Sequence, residues 1–191
     1  GSGQFHPMAN HGAEDRYGSG RLPVFFDFNH DGWPDLFLTH GGGEHRLLLN
    51  DGKGKFREAP GSREVFKWSI ASPEDIPAGV CIADVNRDGL PDIVIGNHFK
   101  QPWAKPAPVK LYLNRGVKDG VPKYDDVTEA AGIPKLAMKA PHVEIQDFDN
   151  NGWPDIYVSI VKFQDGKPCP VIFRNLGESK NGIPQFSNEA W

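Results

Sequence analysis

Short apolar runs and oxygen-rich turns alternate along this chain with a regular beat. Leu36-Phe37-Leu38, Ile93-Val94-Ile95 and Ile156-Tyr157-Val158 are apolar at successive positions. A strand of that kind is covered on both faces. Each run is followed by a second strand-forming stretch (45–50, 110–114 and 171–175) and then by a shorter one (55–59, 123–127 and 185–187). Each is also preceded by one, at 22–28, 79–85 and 142–148. The pattern predicts units of four strands, joined by tight turns such as Asp51-Gly52. Residues 128–133 predict one helical turn stopped by Gly132. A strand around Phe5 and Met8-Ala9 is expected near the start.

The polar stretch before each central run is a nine-residue repeat. It reads D-F-N-H-D-G-W-P-D from Asp27, D-V-N-R-D-G-L-P-D from Asp84 and D-F-D-N-N-G-W-P-D from Asp147. The copies start 57 and 63 residues apart, the scale of one four-stranded unit. Sheets stacked face to face around an axis would cover both sides of each central strand, which is the propeller arrangement. The expected fold is therefore all-β, a β-propeller of four-stranded antiparallel blades with about three blades present. The blades are expected at 22–78, 79–137 and 138–191, after an N-terminal segment, 1–21, that holds the possible closing strand. Three blades are fewer than the four to eight that close a ring. The chain therefore reads as a fragment, a self-associating piece or a capped arc.

Oxygen-bearing side chains stand at positions 1, 3, 5 and 9 of every copy, with Gly at position 6. A calcium ion takes six to eight oxygen ligands, and alternate positions of a curled loop supply them to one ion. The ligand sets expected are Asp27, Asn29, Asp31, the Trp33 carbonyl and Asp35; Asp84, Asn86, Asp88, the Leu90 carbonyl and Asp92; and Asp147, Asp149, Asn151, the Trp153 carbonyl and Asp155. The loop is shorter than an EF-hand loop, and strand formers follow it instead of a helix. The plainer alternative is that Asp, Asn and Gly simply make turns. One copy leaves that open; three in one register favour about three calcium sites.

Charge adds little beyond this. The formal net charge of −4 would become +2 with three calcium ions bound, so the mild acidity belongs to the loops. The absence of a basic run argues against nucleic acid. No stretch of eighteen apolar residues predicts a membrane span. Cys81 reads as a small core residue, and Cys169 lies between two prolines in a loop.

The loop with its following strand resembles the FG-GAP/VCBS repeat family of calcium-binding propellers, related to the integrin α-chain propeller. Residues 124–133, Tyr-Asp-Asp-Val-Thr-Glu-Ala-Ala-Gly-Ile, resemble the inter-repeat segment of the cartilage-acidic-protein-like branch, and Phe186-Ser187-Asn188-Glu189-Ala190 resembles the same segment cut short. The resemblance implies an extracellular, periplasmic or cell-surface module that binds a protein or glycan, with structural calcium. One competing reading is a propeller-type polysaccharide lyase or sugar dehydratase; another is a purely structural segment. For the enzyme, His40, His98 and His142 matter, since all three fall at strand ends away from the loops. They are candidates for a shared rim site, with Trp103 beside it. Trp33 and Trp153 read as packing against a neighbouring blade. Trp68, Trp103 and Phe99, in longer loops, are candidates for a binding surface.

Overall fold

Among the described residues twelve strands form, four to a sheet, with one four-residue helix. They are seen in a computed structural model that describes residues 3–4, 6–15, 20–41, 44–68, 76–99, 104–136, 139–159 and 171–187. The first sheet is β1 (Gly20–Phe26), β2 (Asp35–His40), β3 (Arg46–Asn50) and β4 (Phe56–Glu58), followed by α1 (Ser62–Val65). The second is β5 (Ile76–Ala83), β6 (Asp92–His98), β7 (Lys110–Lys118) and β8 (Val121–Asp126). The third is β9 (His142–Gln146), β10 (Asp155–Ser159), β11 (Val171–Lys180) and β12 (Ile183–Ser187). Every sheet is an antiparallel meander in chain order. The three are blades of a propeller that they do not close.

The apolar runs are continuous because the blades stack. In the middle blade Val80, Ile82, Ile93, Ile95 and Tyr112 point to blade 1, while Cys81, Ala83, Val94, Leu111 and Leu113 point to blade 3. Alternation along each strand thus feeds two cores rather than one. The seam between blades 1 and 2 is aromatic, with Phe28, Phe37, Phe66, Trp68, Phe99, Tyr112 and Tyr124 all buried. The seam between blades 2 and 3 is mainly Val, Leu, Ile and Ala. Trp68 and Phe99, expected on a binding surface, are instead only 5% and 6% exposed, with ring centroids 5.6 Å apart inside the first seam. Their loops fold inward because the first seam needs large side chains to fill it.

Leu36, Leu38 and Leu48 point away from blade 2 yet are buried. Residues 6–15 cross this outer face: the Phe56 amide donates to the His11 carbonyl at 2.7 Å, and Arg46 Nη1 to the Glu14 carbonyl at 3.2 Å. Met8 and Ala9 adopt no strand there and lie in or beside a turn, with Asn10 at φ 58°. Phe5 lies outside the described residues. The opposite end differs, since Phe148 and Tyr157, ring centroids 6.0 Å apart, are partly exposed on the outer side of blade 3.

Residues 128–132 make the expected single turn, with the Ala131 amide donating to the Val127 carbonyl at 2.8 Å and Gly132 at φ 82°. The helix α1, in a stretch that reads as loop, places Phe66 and Trp68 in the core. Cys81 is a half-buried free thiol, and burial pushes its pKa up. Cys169 lies outside the described residues. No helix among the described residues is long and apolar enough to cross a membrane.

Candidate functional site: three repeated acidic loops

The three nine-residue stretches fold into the same loop three times. In each, the position-1 carboxylate accepts backbone N–H groups from positions 5 and 6. Asp27 takes Asp31 and Gly32 at 3.0 and 2.9 Å, Asp84 takes Asp88 and Gly89 at 3.0 and 2.8 Å, and Asp147 takes Asn151 and Gly152 at 3.0 and 2.8 Å. The position-5 side chain then accepts the N–H of position 7, at 2.9 Å in the first two loops and 2.8 Å in the third. Position 4 (His30, Arg87, Asn150) and the glycine after position 5 both have positive φ. That glycine sits at 85–89°, where a Cβ is strained, which is why position 6 is Gly in every copy.

Position 9 does something different. Asp35, Asp92 and Asp155 are fully buried. One carboxylate oxygen accepts the amide of position 2 (Phe28, Val85 or Phe148, at 2.9–3.1 Å). The other accepts the amide of an Asn in the third strand of the same blade (Asn50, Asn114 or Asn175, at 2.7–2.9 Å). Burial, only partly offset by these donors, pushes Asp35 up to about 6 and Asp92 up to about 7. A cation beside such a carboxylate would restore its charge, so the position suits an ion as well as a tie.

The asparagines are the site residues that the sequence reading passed over. Each accepts the N–H of a glycine two residues on through its side-chain oxygen, at 3.0, 2.9 and 3.2 Å for Gly52, Gly116 and Gly177. In the second and third blades this forms a bulge in the outer hairpin. The signal was present as Asn-Asp-Gly, Asn-Arg-Gly and Asn-Leu-Gly after each second apolar run. Tyr124 reinforces the second copy by donating to the Pro91 carbonyl at 2.8 Å and accepting from Asn114 at 3.2 Å.

The position-7 tryptophans pack on these glycines. The Cα of Gly52 lies under the Trp33 ring and that of Gly177 under Trp153, so closely that an added Cβ would meet the ring at 2.7 and 2.6 Å. Trp33 therefore rests on its own blade's hairpin and stays 52% exposed, rather than packing on a neighbouring blade. Trp153 does both, because Arg87 from the second loop lies over its ring at 5.3 Å and donates to the Gly152 carbonyl at 3.1 Å.

The donor set of each loop is all oxygen, which suits a hard cation. In the third loop Asp147, Asp149 and Asp155 each offer an oxygen, and these atoms lie within 4.8 Å of one another. Ligands at 2.3–2.6 Å from one calcium ion are separated by up to about 5 Å, so this spacing fits. The loops also differ at position 3. In the first two, Asn29 and Asn86 donate to the position-5 carboxylate at 2.9 Å. In the third, position 3 is Asp149, and Arg174 donates to its Oδ2 from both Nε (3.0 Å) and Nη2 (2.5 Å). The Arg174 guanidinium holds the Asp149 carboxyl below the usual range.

Residues 27–95, from the first loop through the strand after the second, match the family described as the FG-GAP-like repeat. The chain belongs to the FG-GAP-like repeat proteins. It is similar to cartilage acidic protein 1 of Homo sapiens, 31% identical over 132 residues that make up 68% of this chain and 17% of that protein. It is similar also to cartilage acidic protein 1 of Xenopus tropicalis, 27% identical over 155 residues, covering 78% of this chain and 21% of that one. Integrin alpha-3 of Mus musculus is 28% identical over 151 residues, 69% of this chain and 13% of its own. The chain thus spans about a sixth of the length of the curated relatives it matches.

On this FG-GAP-like scaffold His40 and His98 end their strands and His142 begins one, all at the rim opposite the loops. Each has its own neighbour. His40 Nε2 is 3.8 Å from Asp15, His98 Nε2 is 3.3 Å from Lys139 Nζ, and His142 Nε2 is 2.8 Å from Glu144. Trp103 lies outside the described residues.

Proposed function

We propose that this chain is a calcium-stabilised propeller segment whose task is to bind a protein or glycan outside the cytoplasm, as an adhesion-type module. The supporting observation is that one hydrogen-bonding scheme recurs in three loops, and that in the third it gathers three carboxylates within 4.8 Å of one another. The ligands would be the side chains at positions 1, 3, 5 and 9 with the position-7 carbonyl. These are Asp27, Asn29, Asp31, Trp33 and Asp35; Asp84, Asn86, Asp88, Leu90 and Asp92; and Asp147, Asp149, Asn151, Trp153 and Asp155. The ion's work would be structural. It would neutralise crowded carboxylates and pin the turn between the first two strands of each blade. The similarity to integrin alpha and cartilage acidic protein chains supports the extracellular, ligand-binding part of the reading. The partly exposed aromatic side of blade 3 is where further blades or a second copy would pack.

The test is a thermal melt in EDTA, in millimolar Ca²⁺ and in millimolar Mg²⁺. A site with a Kd near 10⁻⁴ M gains about 2.7 kcal/mol at a hundredfold excess of ion. A rise of many degrees with Ca²⁺ and a small one with Mg²⁺ is expected. Equal melting points in EDTA and Ca²⁺ would mean that the loops are turns alone.

A further inference from the structure

We infer that Arg174 is a built-in counter-charge that makes the third loop the weakest of the calcium sites and the one best ordered without an ion. The inference rests on reading the loops as calcium sites. All three loops carry three carboxylates, so their ligand charge is equal on paper. The surroundings are not equal. The residue before the strand asparagine is Leu49 in blade 1 and Leu113 in blade 2, both buried in a seam. In blade 3 the same place holds Arg174, whose side chain is 31% exposed and reaches back into the loop. The loop it reaches is the one in which position 3 is a carboxylate rather than an amide.

The consequence is electrostatic. A fixed +1 on Asp149 lowers the net charge that the third loop offers an ion from −3 to −2. Affinity in oxygen-ligand loops follows ligand charge count and rigidity. An incoming ion must share Asp149 with the guanidinium or displace it, and it meets a like charge a few ångströms away. The same pairing explains how three carboxylates of the third loop stay gathered within 4.8 Å.

The two tryptophans at position 7 make the loops separately readable. Terbium in the third loop is sensitised by Trp153 in a Trp33→Phe chain, and terbium in the first loop by Trp33 in a Trp153→Phe chain. Calcium then displaces it. The third loop is expected to need at least about tenfold more calcium than the first. Arg174→Leu, which installs the residue of the other blades, should close most of that gap and widen the difference between melting points in Ca²⁺ and EDTA. Arg174→Gln, which keeps length and a donor but no charge, should do the same and covers the case in which leucine disturbs folding. Arg174→Lys should leave the third loop weak. Equal calcium affinity in the two loops, or a third loop weakened by removing the charge, would overturn the inference while leaving the calcium sites standing. No terbium or calcium binding in either loop would overturn both readings together.

Discussion

His45 shows how much one residue can hide. It is fully buried, its Nδ1 accepts the His40 backbone N–H at 3.1 Å, and its Nε2 has no hydrogen-bond partner among the described residues. The proton therefore sits on Nε2, against Phe37 and Trp68, whose ring centroids lie 6.1 and 6.2 Å away. Burial first, and the neighbouring His40 second, push its pKa down to about 4. The unfolded chain takes up a proton near pH 6.5 and the folded chain does not. The stability this ring contributes is thus complete above about pH 6.5 and is lost as pH falls towards 4, an amount of about 3 kcal/mol. Asp35 and Asp92, whose pKa values are raised, pull the other way over the same range when no ion is bound. The check is the difference in urea midpoint between wild type and His45→Asn across pH 4–8, which should shrink as the pH falls. A parallel pair of curves would assign the acid sensitivity elsewhere.

At the level of the element, the loop and its blade are one unit because the position-9 aspartate ties the first turn to the third strand. At pH 8, Asp92→Asn would turn an amide N–H against a backbone N–H inside the protein, and a loss of about 2–3 kcal/mol is expected. That loss should appear in EDTA as well as in calcium. Asp88→Asn, at an exposed position, should cost little in EDTA and show itself only with calcium present. Urea unfolding of both variants in both buffers separates the tie from the ligand. The contrast also marks what was legible in the sequence. Four antiparallel strands per unit are legible in the unbroken apolar runs and the tight turns between them, and the loops in the alternate oxygens. The role of the asparagine in each Asn-x-Gly is not legible because a lone Asn-x-Gly looks like any turn; its meaning lies in a bond to an aspartate 15–22 residues earlier. Trp68 and Phe99 were misread for a related reason, since chain position cannot tell an insertion that decorates a rim from one that folds into a seam. Arg174 carries no signal in the sequence at all; only the fold sets it on Asp149.

At the scale of the whole molecule, three blades share two seams, and each seam is built by side chains remote in sequence. The middle blade is held on both sides, the outer side of blade 1 is crossed by residues 6–15, and the aromatic side of blade 3 stays partly open. The two seams also differ in what they absorb. The first holds fixed indole and phenol chromophores in Trp68, Tyr112 and Tyr124, while the second has phenylalanine as its only aromatic type among the described residues. Once the loop indoles Trp33 and Trp153, which are also held in place, are replaced by phenylalanine, the near-ultraviolet circular dichroism of the folded chain should therefore be dominated by the first seam. Parting blade 3 from blade 2 should leave that signal nearly intact while the far-ultraviolet strand signal falls; parting blade 1 from blade 2 should extinguish it. The molecule carries its own two-channel optical read-out, in which the order of loss names the seam that opens first.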